Sequence, residues 1–289
     1  MKAIDLIKQW KSYTFNSALD YSLRLTKFCV DFTCNSNNIE GSNLDYHTTH
    51  EVFNNAPITR SGVSPRDMFE VQNTKFAFNY LYDKLAAKEP VSVSMIKHLH
   101  KIVTYGTYDE DRWNKGERPG QFKKGDYVIG VSDEGCFPDK VDDAMNELVD
   151  EVDDAVKGFE LSAIPADKAL RIVTYFHLRF EQIHPFADGN GRTGRLLLCY
   201  MLMLFGLPPV IIYSEDRETY YMALEVFDKS GEISGMVKFI TEQMEKTWSV
   251  KKPKYTLTQI EKARELAPDV YKNLSDDELW ALVGSYLEE

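Results

Sequence analysis

Apolar residues recur three and four positions apart along most of the chain, the periodicity of helices that bury one face. The pattern predicts a long helix that has Ser64 as its N-cap, Pro65 at its first position and its end near Ala87. Further helices are predicted over about 94–104, 141–156 (capped near Asp139) and 165–182. The pattern therefore predicts a mainly helical fold.

The most apolar stretch of the chain covers residues 196–205. It is too short to cross a bilayer, and Gly206 and Pro208 follow it directly. We therefore expect these residues to form a helix buried in the protein core.

Two stretches interrupt the helical pattern. Residues 105–137 are rich in Gly and Pro, and 121–131 has the pattern of a hairpin with Lys124–Asp126 as its turn. The second interruption is 184–195. After Pro253 the chain turns polar, and we expect two small helices there, the second capped by Ser275.

Composition excludes several classes of function. The formal net charge of −11 argues against a nucleic-acid binder, which needs a basic surface. The four cysteines lack the paired spacing of a zinc site, and the N-terminus mixes charged with apolar residues, unlike a signal peptide. These features predict a soluble cytoplasmic protein with reduced thiols and no membrane or nucleic-acid partner.

The segment from His184 to Arg195, with the sequence HPFADGNGRTGR, lies between two predicted helices. Gly189 and Gly191 allow the backbone to form a concave nest of N–H groups. The nest opens onto the N-terminus of the next helix, where free N–H groups and the positive end of the helix dipole converge. This arrangement favours a bound anion.

Side chains of four types complete the same segment. Arg192 and Arg195 lie three apart in a first helical turn, so both can direct fork-shaped donors at phosphate oxygens. Asp188 offers a hard oxygen ligand suited to Mg²⁺, and His184 is a candidate general base. Each feature alone is common, and we expect Phe186 only to anchor the loop in the core. Together the features predict phosphoryl or nucleotidyl transfer.

The segment matches the Fic family signature His-x-Phe-x-(Asp/Glu)-Gly-Asn-Gly-Arg-x-x-Arg at every position. Residues 121–137 also resemble the flap hairpin of that family, and Arg217–Leu224 resembles the helix that follows its motif. The resemblance covers about residues 93–242. It implies an all-α Fic fold, a helical bundle with a β-hairpin flap over the active-site loop.

The resemblance also implies a role for individual residues. His184 would be the catalytic base and Asp188 the Mg²⁺ ligand. Nucleotide-binding roles fall on Gly189, Asn190, Gly191, Arg192, Arg195, Tyr220 and Asp228, with the two arginines on the β- and γ-phosphates of ATP. Docking of the target would involve flap residues Val128, Ile129, Gly130 and Val131.

A second motif lies far upstream. Ser36, Glu40 and Gly41 match the inhibitory motif (Ser/Thr)-x-x-x-Glu-(Gly/Asn) of the same family. Ser36 and Glu40 are one helical turn apart, and a carboxylate that reaches Arg195 would neutralise the donor needed by the γ-phosphate. The motif therefore predicts autoinhibition by Glu40.

These observations predict an N-terminal helical region over 1–92, a Fic catalytic domain over 93–242 and a C-terminal helical tail over 243–289. The predicted activity is that of a nucleotidyltransferase, moving AMP from ATP to a Ser, Thr or Tyr hydroxyl of a protein, with self-modification. Two alternatives stay open: a Fic enzyme that removes AMP or transfers another phosphate-containing group, and a non-catalytic nucleotide-binding module. A homodimer is also left open.

The remaining histidines give no functional prediction. His98 and His100 lie two apart on a helix and face different sides, so they form no metal-binding pair. For His177, two turns before His184, we expect a packing role.

Overall fold

Helices dominate the computed structural model, which describes residues 2–129, 133–249, 257–266 and 279. The α-helices within these ranges are α1 (Ala3–Lys11), α2 (Ala18–Ile39), α3 (Tyr46–Phe53), α4 (Pro65–Ala86), α5 (Val93–Val103), α6 (Glu110–Asn114), α7 (Val141–Val156), α8 (Ala166–Ile183), α9 (Asn190–Leu204), α10 (Arg217–Ser230), α11 (Ser234–Thr247) and α12 (Leu257–Leu266). Short 3₁₀ turns precede α7, α8 and α10. The predicted all-α fold class is confirmed.

Local sequence explains where several helices begin. The Ser64 side chain accepts a hydrogen bond from the Asp67 backbone N–H at the start of α4, and Pro65 occupies the first position, as predicted. In α2, Ser17 and Asp20 form a reciprocal capping box. The expected cap of α7 near Asp139 is wrong: a 3₁₀ turn over Pro138–Lys140 leads into that helix, which has no side-chain cap.

Helix α9 lies at the centre of the core. It packs against α8, α5, α4 and α2, and every residue from Leu196 to Phe205 is at most 6% exposed. The prediction of a buried helix over this apolar run is therefore confirmed. Because α2 and α4 also pack against each other, the N-terminal helices share one core with the helices around residues 184–195.

The predicted hairpin differs from the observed one. Strands β1 (Val128–Ile129) and β2 (Asp133–Glu134) pair antiparallel, with Val128 opposite Glu134. Lys124–Asp126 is therefore not the hairpin turn. The buried Glu117 carboxylate accepts hydrogen bonds from the N–H groups of Lys124 and Gly125, so this stretch curls around Glu117 instead of pairing as a strand.

Contacts divide the chain into the units Met1–Trp248 and Ser249–Glu289. Helix α12 belongs to the second unit and matches the first of the two small helices expected after Pro253. The predicted cap at Ser275 lies outside the described residues. Within the described ranges, no helix combines the length and the apolar character that a membrane span requires.

Candidate active site

The loop between α8 and α9 takes its shape from two left-handed residues. His184 ends α8 with φ 50° and ψ 62°, and Gly189 precedes α9 with φ 81°. The Asn190 side chain ties the loop together, because its Oδ1 accepts from Phe186 N at 2.9 Å and its Nδ2 donates to Phe186 O at 2.7 Å. Phe186 is fully buried, as expected. The loop is thus preorganised at the N-terminus of α9.

The structure adds His100 to the site, where sequence analysis had found no role for it. His100 Nδ1 accepts from Gly120 N at 2.9 Å, so Nε2 carries the proton and donates to Asp188 O at 2.7 Å. The ring stacks on Phe186 with centroids 3.6 Å apart. Burial lowers the pKa of His100 to about 3, so the ring is neutral and holds the loop.

A signal for His100 was present in the sequence. Ile96, Leu99 and Val103 share its side of α5, and all three are buried. A histidine on an apolar helix face must be buried, and a buried imidazole needs polar partners.

His184 lies beside Lys123, whose backbone N–H donates to Pro185 O at 2.9 Å. Burial of the imidazole, aided by the Lys123 charge, lowers the pKa of His184 to about 4. A ring with this pKa is neutral near pH 7 and can accept a proton.

The structure brings the upstream motif to Arg195, which is buried at the start of α9. Arg195 Nε donates to Ser36 Oγ at 2.9 Å, and Nη2 donates to Ser36 O at 3.0 Å and to Glu40 Oε1 at 2.6 Å. Burial alone would raise the pKa of Glu40, but the charge and hydrogen bond of Arg195 lower it overall, so Glu40 is a carboxylate. Gly41 follows in the left-handed conformation at φ 96° and ends this turn.

Glu40 also lies against the nest. A Cβ atom on Gly191 would collide with Glu40 Oε1 and would come within 2.8 Å of Arg195 Nη1. Glycine at position 191 is therefore required for the close approach of Glu40 to the nest.

Asp188 is surrounded by arginines. Its Oδ1 accepts from Gly189 N at 2.7 Å and from Arg192 Nη2 at 3.3 Å. Its Oδ2 lies 3.0 Å from Arg66 Nη2 and 3.7 Å from Arg112 Nη2. Burial would raise the pKa of Asp188, but Arg192, Arg112 and Arg66 lower it below its usual value.

The Asp188 carboxylate suits an Mg²⁺ ion that is bound jointly by one protein carboxylate and by substrate phosphates. The described residues contain no cluster of three or more His, Cys, Asp or Glu side chains that could enclose a metal ion by themselves. A metal ion at Asp188 therefore needs phosphate oxygens from a ligand.

The remaining predicted site residues lie outside the nest. Tyr220 on α10 is buried, and its hydroxyl group is 2.9 Å from His177 Nε2. Asp228 is exposed two turns further along the same helix. Val128 and Ile129 form β1, whereas Gly130 and Val131 lie outside the described residues.

Comparison with known proteins identifies the domain. Residues 90–202, which include α5, α8 and most of α9, match the model of the Fic/DOC family. The chain carries a Fic/DOC domain. The matched range contains every residue of the loop and its two arginines.

Curated relatives of this Fic/DOC domain are named protein adenylyltransferases. The protein adenylyltransferase Fic of Drosophila willistoni is 29% identical over 72% of this chain and 39% of its own length. The protein adenylyltransferase fic-1 of Caenorhabditis elegans is 28% identical over 83% of this chain and 44% of its own length. The chain thus spans about two fifths of the length of these relatives.

Solved structures agree on the fold. A Fic domain containing signaling protein from Bacteroides thetaiotaomicron superposes with a TM-score of 0.70, covering 85% of this chain and 93% of that chain at 23% identity. The fold of the chain is therefore that of Fic-domain proteins.

Proposed function

We propose that this protein transfers AMP from ATP to a Ser, Thr or Tyr hydroxyl of a target protein and that Glu40 restrains the transfer. The observation that carries the proposal is the buried Arg195 guanidinium, which Ser36 and Glu40 hold beside the nest at the start of α9. The names of the Drosophila and Caenorhabditis relatives support AMP as the transferred group.

In the proposed reaction the nest residues Gly189, Asn190 and Gly191 bind the α- and β-phosphates of ATP, and Arg192 and Arg195 bind the β- and γ-phosphates. His184 accepts the proton of the target hydroxyl as its oxygen forms a bond to the α-phosphorus. The bond from that phosphorus to the bridging oxygen breaks, and pyrophosphate leaves. The neutral state of His184, caused mainly by burial, supports its role as the base.

Asp188 is the residue that would hold Mg²⁺ in this reaction. The metal ion would neutralise charge on the leaving pyrophosphate. Of the two carboxylate oxygens of Asp188, Oδ1 accepts the short Gly189 N–H bond, and Oδ2 faces the longer contacts to Arg66 and Arg112.

Glu40 would inhibit by occupying Arg195. The γ-phosphate needs the guanidinium donors that Ser36 and Glu40 accept from Arg195. ATP must displace this pair or bind with its α-phosphorus out of line, and a displacement of about 1 Å can cost on the order of a hundredfold in rate.

Replacement of Glu40 by glycine tests the proposal. Glu40→Gly should raise the transfer of label from α-labelled ATP, to itself and to a lysate protein, by about a hundredfold, because Arg195 is then free for the γ-phosphate. The double variant Glu40→Gly with Arg195→Ala should lose this gain. A Glu40→Gly protein that transfers no more label than the wild type would contradict the inhibitory role.

Removal of AMP is the second candidate activity, and the position of Glu40 favours it. The Glu40 carboxylate is ionised and adjoins the nest at Gly191, where it could orient a water molecule toward a phosphate ester. If Glu40 serves hydrolysis, Glu40→Gly should lose the ability to remove AMP from a modified protein.

The proposal extends to the segment around β1 and β2, which we assign as a flap that docks the target beside Val128–Val131. One end of this segment is bonded to the active-site loop, since Lys123 N donates to Pro185 O, and the other end is bonded to the last residue of α8, since Cys136 N donates to Ile183 O. An extended target chain could add its main-chain hydrogen bonds to a strand edge in this position.

Other parts of the chain complete the proposal. We assign contact with the adenosine moiety to Tyr220 and Asp228. Burial raises the pKa of the Tyr220 hydroxyl, and the positive charge of Arg195 opposes this rise, so the two side chains interact electrostatically. We also retain the division into regions 1–92, 93–242 and 243–289, the cytoplasmic location and self-modification.

A further inference from the structure

Arg192, the other arginine beside the nest, has an acidic partner of its own. Glu70 Oε1 on α4 lies 2.7 Å from Arg192 Nη1, and the two side chains are only 8% and 4% exposed. Arg66, one turn earlier on α4, donates from Nε to the same Glu70 oxygen at 2.9 Å. Glu70 is thus held between two guanidinium groups.

Asp188 closes these contacts into a ring. Arg66 Nη2 donates to Asp188 Oδ2 at 3.0 Å, and Arg192 Nη2 donates to Asp188 Oδ1 at 3.3 Å. The four side chains alternate in charge, so each one restrains its two neighbours. The start of α4 therefore forms one wall of the site, although it lies outside the range matched by the family model.

The two nest arginines differ in how their donors are used. Arg195 gives hydrogen bonds from Nε and Nη2 to Ser36 and Glu40. Among the described residues, Arg192 Nε and Nη1 donate no hydrogen bond although both atoms are buried. Glu70 Oε1 gives Arg192 a counter-charge 2.7 Å from Nη1 but no aligned hydrogen bond, so the N–H groups of Nε and Nη1 have no acceptor among the described residues.

We propose that Glu70 is a positioning residue that fixes Arg192 for the β-phosphate of the nucleotide, and that Arg66 locks Glu70 in place. The inference rests on the proposed function and adds a residue pair from the N-terminal region to the nucleotide site.

A positioning role fits Glu70 better than a second inhibitory role. Glu40 caps the end of α2 and is 36% exposed, so it can leave Arg195. Glu70 lies in the second turn of the 22-residue helix α4, buried and bound to Arg66. Its release from Arg192 would also disturb the bond from Arg66 to the same Glu70 oxygen.

Binding of a nucleotide series tests the inference. In the Glu40→Gly background, calorimetry measures the affinities for AMP and ADP with and without Mg²⁺. Glu70→Ala should weaken ADP binding by about tenfold and leave AMP binding unchanged, because only ADP carries a β-phosphate. Glu70→Gln keeps an acceptor oxygen for both arginines, so it should lose less than Glu70→Ala.

Two further variants make the result decisive. Arg66→Gln replaces a half-exposed side chain, so it removes the ion pair with Glu70 without leaving a cavity in the core. It should weaken ADP binding and leave AMP binding unchanged, as Glu70→Ala should. Lys84→Gln on the same helix breaks the remote Lys84–Glu89 ion pair and should change neither affinity.

Equal or tighter ADP binding by both Glu70→Ala and Arg66→Gln would overturn the positioning role and indicate a second inhibitory carboxylate. An equal loss of AMP and ADP affinity would reduce Glu70 to a general structural role. Failure of the proposed function is distinguishable, because the Glu40→Gly parent would then bind no ADP or transfer no AMP.

Discussion

At the scale of single residues, protonation states set the chemistry that the nest can perform. Burial, together with the charge of Lys123, lowers the pKa of His184 to about 4. The imidazole therefore needs no neighbouring base to be neutral near pH 7. Glu40 and Asp188 are ionised because their arginine partners outweigh the effect of burial.

The pH dependence of AMP transfer should follow His184. A base must be unprotonated, so kcat/KM of the Glu40→Gly protein should be constant from about pH 8 to pH 6 and fall as the pH drops through about 4. Label transfer measured in a series of buffers gives this profile. His184→Ala should reduce kcat by a factor on the order of a hundred to ten thousand and leave ADP affinity intact. A rate that falls already at pH 6.5 would mean that burial does not depress this pKa.

Sequence reasoning at this scale can predict the part of the candidate site that is contiguous in the chain. Residues 184–195 are contiguous, so the nest, the helix N-terminus and the two arginines can be predicted from adjacent residues alone. Glu70, Arg66 and His100 could not, because only the packing of α4 and α5 against α9 brings them to the loop. Their individual signals, an i,i+4 ion pair and a histidine on an apolar face, are common in any helical protein.

At the scale of secondary-structure elements, the last turn of α2 acts on Arg195 as a unit. Ser36 contributes two acceptors to the guanidinium, its hydroxyl and its carbonyl oxygen, and Glu40 contributes one more a turn later. The backbone carbonyl cannot be removed by substitution. The end of α2 therefore holds Arg195 through a backbone carbonyl as well as through the side chains of Ser36 and Glu40.

Ser36→Ala tests this division of the restraint. Loss of the hydroxyl leaves the Glu40 ion pair and the Ser36 carbonyl contact in place, so self-labelling should rise by only about threefold, far less than in Glu40→Gly. Side-by-side assays of the two variants and their combination give the comparison. Activation by Ser36→Ala equal to that of Glu40→Gly would show that the hydroxyl, not the carboxylate, is the main restraint.

The elements also show where local rules fail. Helices α4, α5, α7 and α8 were predictable from apolar spacing, and α4 was predictable down to its cap, because both signals are local in sequence. The turn of the hairpin was not, since the buried Glu117 captures the N–H groups of Lys124 and Gly125 and the hydroxyl of Tyr127. A Lys-Gly-Asp sequence is typical of a turn, but the hydrogen bonds to Glu117, which are not visible in the local sequence, determine the conformation of this stretch.

At the scale of the whole molecule, one core supports both the nest and the segments that contact its arginines. Helix α9 is surrounded by α8, α5, α4 and α2, so the nest, the last turn of α2 and the start of α4 all lie against the same central helix. Gly194 on α9 leaves room for α8, because a Cβ atom there would collide with the Glu181 carboxyl group on that helix. Glu181 Oε1 is buried and has no hydrogen-bond partner among the described residues. A charged carboxylate in this place would be costly.

Stability should therefore depend on the protonation of Glu181. Burial raises its pKa to about 8, against an ordinary value of 4.5, so the folded protein holds a proton that the unfolded chain releases. The stabilising contribution is complete below pH 4.5 and is lost as the pH rises through 8. Between pH 7 and 8 the free energy of unfolding of the wild type should fall by about 1 kcal/mol, whereas that of Glu181→Gln, which is neutral at every pH, should stay nearly constant.

Urea unfolding at several pH values measures the difference, with Glu147→Gln on the exposed face of α7 as a control that keeps the wild-type profile. The same decrease in Glu181→Gln as in the wild type would show that Glu181 is already ionised in the folded protein, in contact with Arg195 instead of protonated beneath the nest.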